Sequence, residues 1–250
     1  MNVPLAGYLH VAGSFLIHPA KRKLLRLATS FRGKTGLEVG GPSPFFKPGQ
    51  FPIYLFAERI DGVNFSHHTV WEGSLTEGQT YNYYSGKAGR QYIAEASHLA
   101  GIADKTYDFL LSCHSLEHVA NPLEALQEWK RVLRPGGVIV LVLPDKEHSF
   151  DKYREYTPFS HLVADYEHGT DERDETHFEE IMRSHQRWLG SNEDITAVLQ
   201  QNFTTRCAHH HVFHQQVVRE MFTWAGFEVF HQQTARPFHL ITLARLRNQP

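Results

Sequence analysis

Several features that mark other protein classes are missing from this 250-residue sequence. It has two cysteines, Cys113 and Cys207, which excludes a disulfide framework and a clustered thiolate zinc site. No stretch approaches the roughly 20 consecutive apolar residues that a membrane-spanning helix needs. The first 20 residues lack the basic-then-apolar order of a secretion signal. The sequence therefore predicts a soluble, cytoplasmic protein with no membrane span.

An excess of positive charge is also missing. The chain has 25 basic and 27 acidic residues, a net charge of -2, and its one short basic cluster runs from Lys21 to Arg26. Binding to nucleic acid depends on neutralising many phosphates, so the composition predicts no nucleic-acid partner. With 41% hydrophobic and 21% charged residues, the composition is typical of a folded globular domain.

The two common glycine-rich phosphate motifs, GxGxxG and GxxxxGK[ST], are absent, which excludes the dinucleotide fingerprint and the P-loop. A different glycine turn, Gly40-Gly41-Pro42, follows the buried-strand pattern of residues 36–39. Glycine at the carboxyl end of a parallel strand lets the backbone approach a ligand closely. The apolar run 53–57 is predicted as the second strand, and Glu58 at its end would accept hydrogen bonds from ribose hydroxyls.

Strand and helix patterns alternate along the chain, which predicts an α/β fold with a mostly parallel sheet. Residues 62–92 give no assignable pattern, and residues 8–31 favour a surface helix. The other predicted elements are a strand at 107–113, a helix at 122–133 capped by Asn121, a strand at 138–143, a helix at 215–226 and an antiparallel pair at 227–230 and 240–243.

The order of these segments resembles that of the class I S-adenosylmethionine-dependent methyltransferases. The residues that carry the resemblance are Gly36-Leu37-Glu38-Val39-Gly40-Gly41, Tyr107-Asp108-Phe109, Leu116-Glu117-His118, Asn121-Pro122 and Arg131-Val132-Leu133-Arg134-Pro135-Gly136-Gly137. The resemblance implies a Rossmann-like, doubly wound, mostly parallel sheet of seven strands with a terminal antiparallel hairpin. It also implies S-adenosylmethionine as the cofactor. The residues expected to bind it are Glu38, Gly40, Gly41, Pro42, Glu58, Arg59, Glu95, Ala96, Cys113 and His114.

Beyond Pro144 the sequence resembles a bacterial branch of these enzymes associated with glycosyltransferase and polysaccharide modification functions. The matching residues include Pro144, Asp145, Lys146, Phe150, Asp151, Arg154, Thr157, His161, Asp165, Tyr166 and His209-His210-His211. The resemblance implies one methyltransferase domain over residues 1–250. Its predicted parts are an N-terminal helical segment (1–32), a cofactor-binding core (33–145), a histidine-rich cap insertion for substrate (146–211), and a last helix with the hairpin (212–250).

Three residues are candidates for the chemistry. Methyl transfer is an in-line displacement in which positioning matters most, and a hydroxyl acceptor additionally needs a base. His114 follows the fourth predicted strand, where substrate would meet cofactor, and it is the first candidate for that base; Asp145 and His161 are the others. His118 is interpreted as architectural. The residues expected to bind substrate are Arg154, His161, Asp165, His177 and His211.

Histidine is abundant, with 18 in the chain and nine of them between residues 145 and 214. His161, Asp165 and His211 are the candidates for a divalent metal site, because imidazoles and carboxylates are common ligands. The competing and favoured interpretation is a polar network that fixes the cap, because HExxH and CxxC spacings are absent.

These features predict a methyltransferase that acts on a hydroxyl, or an amine, of a small polar acceptor such as a sugar or a saccharide-linked metabolite. Two alternatives come from other classes. A non-catalytic relative would bind the cofactor without turnover, and a metal-dependent hydrolase would use the histidine-rich segment and ignore S-adenosylmethionine. A product assay with candidate acceptors distinguishes the three.

Overall fold

Buried strands and amphipathic helices alternate to build the protein around one large sheet. The computed structural model describes residues 19–190 and 193–247, so the part of the predicted N-terminal helix before residue 19 lies outside it. The strands of the described residues are β1 (Thr35–Val39), β2 (Arg59–Asn64), β3 (His68–Thr69), β4 (Gly73–Ser74), β5 (Gly78–Tyr84), β6 (Lys87–Ile93), β7 (Tyr107–Cys113), β8 (Leu133–Pro144), β9 (Phe227–Ala235) and β10 (His239–Leu246).

The main sheet has the strand order β5-β6-β2-β1-β7-β8-β10-β9, while β3 and β4 form a separate small hairpin. Strands β6, β2, β1, β7 and β8 are parallel, and β10 is antiparallel to both β8 and β9. The predicted Rossmann-like sheet and terminal hairpin are therefore present. The predicted count of seven strands is wrong, because β5 adds an eighth strand, antiparallel to β6, at one edge of the sheet formed by the described residues. Only Tyr81 and Tyr83 of β5 are buried, and its other residues are mostly polar, so it has little of the apolar pattern that predicts a strand.

Helices cover both faces of the sheet. Their bounds are α1 (Pro19–Thr29), α2 (Ile53–Phe56), α3 (Pro122–Val132), α4 (Phe159–His168), α5 (Phe178–Leu189), α6 (Glu193–Gln200), α7 (Asn202–Thr205) and α8 (Gln215–Trp224). Residues of α1 and α2 share one apolar core with one face of the sheet, and residues of α3, α4 and α8 share the core on the other face. This is the three-layer arrangement of doubly wound α/β proteins. No helix of the described residues is long and apolar enough to cross a membrane.

The second predicted strand is displaced in the structure. Residues 53–56 form helix α2, and the strand is β2, which begins at Arg59. A short apolar run in a protein core does not by itself distinguish strand from helix. The true strand contains buried Asp61, whose carboxylate accepts hydrogen bonds from the Tyr107 hydroxyl and the Arg90 backbone N–H. Because those partners are distant in sequence, the strand has no local signal.

The segment from β7 to β8 matches the prediction closely. Strand β7 has the expected bounds, and α3 begins at Pro122 with the Asn121 side chain accepting a hydrogen bond from the Glu124 N–H. The apolar positions of α3 are buried at a helical period, including the fully buried Trp129. Strand β8 extends further than predicted, because residues 133–137 join it.

Residues 146–190 and 193–211 form a mainly helical segment between β8 and α8, called the insertion below. It has a small apolar cluster of its own around Ile181, Ile195 and Leu199. Arg154 lies buried at its centre and donates hydrogen bonds to Asp151, Glu180 and two backbone carbonyls. Arg154, which was predicted to bind substrate, is therefore paired within the segment.

Candidate active site

One cavity of about 700 Å³ opens at the carboxyl ends of β1, β2 and β7. This is the edge of an open α/β sheet where ligands bind. Its lining includes parts of the glycine turn (40–45), the end of β2, the β3–β4 hairpin, residues 94–96, the segment 113–119 after β7, the insertion, and residues 238–239. Two half-exposed tryptophans, Trp71 and Trp188, are also part of its wall. The cavity therefore has one half beside the glycine turn and a second half closed by the insertion.

The glycine turn follows β1 and is held from behind by Glu38. Gly40 has φ +77°, and a Cβ on Gly41 would lie 2.3 Å from the Glu38 carboxyl carbon, so both positions need glycine. The buried Glu38 carboxylate accepts hydrogen bonds from the Ser43 N–H at 2.9 Å, the Tyr54 hydroxyl at 2.6 Å and the Tyr81 hydroxyl at 2.7 Å. Burial raises the pKa of Glu38 to about 7. Gly40 and Pro42 reach the cavity, whereas Glu38 and Gly41 lie behind it.

Glu58, predicted to bind the ribose, and Arg59, predicted to bind the cofactor, do not line the cavity. Both residues precede the body of β2 and are exposed, and the Glu58 N–H donates to the Lys34 carbonyl at the opposite end of the sheet. Since β2 ends at Asn64, it is Asn64 that reaches the cavity. Its amide lies 3.3 Å from the Gly41 carbonyl oxygen and 3.2 Å from Gln91 Nε2. The error follows directly from the displaced second strand.

Glu95, Ala96 and Cys113 line the cavity as the sequence predicted. Glu95 Oε1 accepts a hydrogen bond at 2.7 Å from Arg206 of the insertion, so its carboxylate is already paired. The Ala96 carbonyl accepts a hydrogen bond from the buried Trp129 indole. The half of the cavity beside the glycine turn is thus connected to both helix α3 and the insertion.

His114 also lines the cavity, at the end of β7, with an unusual backbone φ of +52°. Its Nε2 lies 2.9 Å from His239 Nδ1, and its Nδ1 lies 3.5 Å from Glu117 Oε1. Burial, together with His239 and His209, lowers the pKa of His114 to about 3. A neutral imidazole with so low a pKa is a weak proton acceptor at neutral pH.

Glu117 is the site residue that the sequence interpretation missed. It lies on the short 3-10 turn Leu116–His118, its side chain is 1% exposed, and neither carboxylate oxygen has a hydrogen-bond partner among the described residues. Burial raises the pKa of Glu117 to about 7. The sequence signal for Glu117 is the Leu116-Glu117-His118 motif, which by itself does not show that the glutamate faces a cavity.

Two histidines stand beside Glu117 on the cavity wall. One nitrogen of His118, one of His209 and one Glu117 oxygen all lie within 4.8 Å of one another. The remaining nitrogens are held from outside, since His118 Nδ1 lies 3.1 Å from the Ala208 carbonyl and His209 Nδ1 lies 2.5 Å from Asp151 Oδ2. The three groups form an acid–base cluster on the wall of the cavity.

The remaining predicted site residues do not line this cavity. Asp145 caps the 3-10 turn Lys146–His148 by accepting from the Glu147 N–H. Arg154 donates its hydrogen bonds to Asp151 and Glu180 within the insertion. The predicted substrate and metal residues, His161, Asp165, His177 and His211, lie together in a second cluster outside the cavity wall. Their predicted role in binding substrate therefore has no support from the lining of this cavity.

Comparisons with known proteins agree with this geometry. Residues 51–141 match the family described as a methyltransferase domain. No curated protein is significantly similar to the sequence.

Solved structures share the fold at low identity. An S-adenosylmethionine-dependent methyltransferase from Mesorhizobium loti is 14% identical, with a TM-score of 0.51 over 91% of this chain and 96% of its own. A candidate S-adenosylmethionine-dependent methyltransferase from Listeria monocytogenes is 15% identical, with a TM-score of 0.51 over 95% and 99%. A candidate methyltransferase from Haloferax volcanii, solved with the Trm112 activator, is 15% identical, with a TM-score of 0.50 over 95% and 94%. Residues 51–141 therefore match a methyltransferase domain, and the chain shares the fold of these S-adenosylmethionine-dependent methyltransferases.

Proposed function

We propose that the protein transfers the methyl group of S-adenosylmethionine to a hydroxyl of a small polar acceptor, with Glu117 as the proton acceptor. A sugar or a saccharide-linked metabolite is the acceptor class that the sequence resemblance favours. The observation that carries the proposal is the position of Glu117: a buried carboxylate without a hydrogen-bond partner, on the wall of the same cavity as the glycine turn.

The half of the cavity beside the glycine turn, called the cofactor half below, suits a nucleoside with an amino-acid tail. Gly40 and Pro42 would lie along the amino-acid part, Asn64 would donate to or accept from the ribose hydroxyls, and Ala96 would lie against the base. Asn64 fits this position because it is a polar side chain at the end of β2, buried except towards the cavity. When bound, the cofactor supplies a methyl group on a positively charged sulfur, which makes the methyl carbon electrophilic.

The half closed by the insertion, called the acceptor half below, supplies a base and binding groups. A hydroxyl becomes a good nucleophile only as its proton leaves, so a positioned base accelerates its reaction by about 10²–10⁴-fold. With a pKa of about 7, Glu117 is largely ionised just above neutral pH and still basic enough to accept a proton. His114 Nδ1 lies 3.5 Å from the carboxylate, and because the imidazole is neutral it does not neutralise the acid. His118 and His209 are placed to bind neighbouring polar groups of the acceptor.

Aromatic rings make the acceptor half suitable for a ring-shaped molecule. Trp71 packs against His118 with ring centroids 5.2 Å apart, and Phe150 packs against His209 at 4.6 Å. Trp188 faces the same space from α5. Aromatic faces combined with polar groups are a common way to bind sugars and other small polar rings.

The test is a methyl-transfer assay on the purified full-length protein with S-adenosylmethionine and a panel of sugars and amines. The E117Q variant is compared with E58Q, which changes an exposed glutamate at the far end of the sheet. Calorimetric titration with S-adenosylhomocysteine runs in parallel for all three proteins. Turnover that is lost in E117Q but kept in E58Q, with equal cofactor affinity, supports the proposal.

Other outcomes identify the alternatives. Cofactor binding without turnover of any acceptor indicates a non-catalytic relative. Activity that needs a divalent metal and ignores S-adenosylmethionine indicates a hydrolase. Turnover of amines alone would replace the hydroxyl acceptor with an amine and leave the cofactor assignment intact.

A further inference from the structure

A cluster of three histidines and one aspartate lies inside the insertion, apart from the cavity. One nitrogen from each of His161, His177 and His211 lies within 4.8 Å of the other two. The Asp165 carboxylate is one helical turn after His161 on α4, and its Oδ2 lies 3.3 Å from His161 Nε2. These four side chains come from three separate segments: helix α4, the residue before α5, and the chain between α7 and α8.

The spacing of these atoms is that of a tetrahedral zinc site. Zinc binds histidine nitrogen and carboxylate oxygen at about 2.0–2.2 Å, which places the corners of a tetrahedron roughly 3.3 Å apart. His161 Nε2 lies 3.1 Å from His177 Nε2 and 3.3 Å from Asp165 Oδ2. The His211 nitrogen left for the ion is Nδ1, in a ring whose Nε2 lies 3.8 Å from the same carboxylate oxygen. His161, His177 and Asp165 therefore already lie at near-ligand separations.

The outer atoms of the cluster are held as they are around bound metals, where a second contact fixes each ligand. His177 Nδ1 lies 2.9 Å from Glu180 Oε1. His211 Nε2 lies 3.0 Å from the Ala120 carbonyl oxygen. Asp165 Oδ1 accepts a hydrogen bond from the Thr170 hydroxyl. Three of the four side chains are thus oriented from behind.

The inner atoms, by contrast, are unsatisfied by the protein alone. Asp165 Oδ2 and His211 Nδ1 are buried without a hydrogen-bond partner among the described residues, and the His211 side chain is 1% exposed. A buried polar group without a partner is costly. A cation at the centre would satisfy these groups together, whereas the single Nε2 proton of His161 cannot serve both His177 and Asp165.

We propose that His161, His177, His211 and Asp165 bind one zinc ion in a closed, four-ligand structural site. His211 gives one nitrogen to the ion and donates the other N–H to Ala120. A site filled by four protein ligands leaves no open position for substrate, so its role is to hold the insertion together rather than to catalyse. His161, whose side chain is 37% exposed, provides access for the ion.

The experiment is a metal titration of the full-length protein after treatment with a chelator. Zinc binding is measured by competition with a chromophoric chelator, and cobalt is used as a second probe because tetrahedral Co²⁺ absorbs strongly in visible light. The variants are H161A and H177A in the cluster, H118A in the cavity, and H168A as the matched control. His168 is an exposed histidine on the same helix α4.

We expect one zinc ion per chain in the wild type, H118A and H168A. Binding should be at least 100-fold weaker in H161A and H177A. Zinc should also raise the thermal unfolding midpoint of wild type and H168A but not that of H161A, whose partly exposed side chain is the least disruptive to replace. Binding that survives in H161A and H177A but is lost in H118A would move the ion to the cavity and overturn the proposal. So would the absence of tight zinc binding in the wild type.

Discussion

Two glutamates at the same end of the sheet, Glu38 and Glu117, differ in one respect. Both are buried, and burial raises the pKa of each to about 7. Around Glu38, three donors meet the carboxylate, and the glycine turn is built on that contact. Around Glu117, the carboxylate receives no hydrogen bond from the described residues. The satisfied acid supports the backbone, and the unsatisfied acid is available to a ligand.

The largest expected effect comes from replacing Glu117. The E117Q substitution keeps the size of the side chain but removes its basicity, so turnover should fall by about 10²–10⁴-fold. Affinity for S-adenosylhomocysteine should stay within roughly twofold, since the cofactor half of the cavity is unchanged. Single-turnover assays and calorimetry measure the two effects. Normal turnover in a folded E117Q protein would show that Glu117 is not the proton acceptor.

The E38A substitution should damage the fold instead. It leaves the Ser43 N–H and the hydroxyls of Tyr54 and Tyr81 without their acceptor. Unpaired buried donors cost about 1–3 kcal/mol each, partly relieved by rearrangement and water, so the free energy of unfolding should fall by about 2–4 kcal/mol. Urea denaturation checks this. An E38A protein as stable as wild type would show that the tyrosines do not depend on Glu38.

The pH dependence of stability tests the raised pKa of Glu117. The folded-state pKa of Glu117 is raised above its unfolded value of about 4.5, so the unfolded chain loses this proton first as pH rises. The free energy of unfolding should therefore decrease between about pH 4.5 and 7. E117Q lacks this titration, and between pH 5 and 8 it should become more stable relative to wild type, by about 1–3 kcal/mol. Parallel stability curves for the two proteins would contradict the raised pKa.

The same titration sets the activity profile. The ionised carboxylate is the base, so kcat/KM should rise with pH and level off above about 7. Rates measured from pH 5.5 to 9 with a saturating cofactor test this. A profile that is flat through pH 7 would remove Glu117 as the proton acceptor.

The smallest expected effect concerns Asn64. Its truncation in N64A removes a neutral hydrogen-bonding group at the end of β2, which should weaken S-adenosylhomocysteine binding by roughly 3- to 12-fold, or about 0.5–1.5 kcal/mol. The E58A variant should bind as wild type does, because Glu58 lies at the other end of the strand. A reversal of the two affinities would restore the original placement of the ribose contact.

The predictable and unpredictable parts of the molecule differ in how far apart their partners lie. Helix α3 follows from its own residues, because a capping asparagine, a proline at the first position and a helical apolar period are all local. Strand β2 does not, because its buried Asp61 is stabilised by Tyr107 and by Arg90 from elsewhere in the chain. The misplaced ribose contact at Glu58 is a direct result.

The candidate site divides in the same way. The glycine turn and the residues after β7 were predictable, since strand ends define them. Glu117 could not be separated from its motif, because its importance depends on the lack of hydrogen-bond partners in the folded protein. The histidines of the insertion were conspicuous in the sequence, yet only the fold divides them between the cavity wall and the separate four-residue cluster.

The two half-exposed tryptophans on the cavity wall give the protein a built-in optical signal. Trp71 and Trp188 lie where a ligand would displace water from their rings, while Trp129 is fully buried in the core. Ligand binding should therefore change the intensity and wavelength of intrinsic fluorescence without any attached dye. Replacing Trp71 or Trp188 with phenylalanine in turn would show which of the two rings responds to a given ligand, and stopped-flow recording would give its association rate.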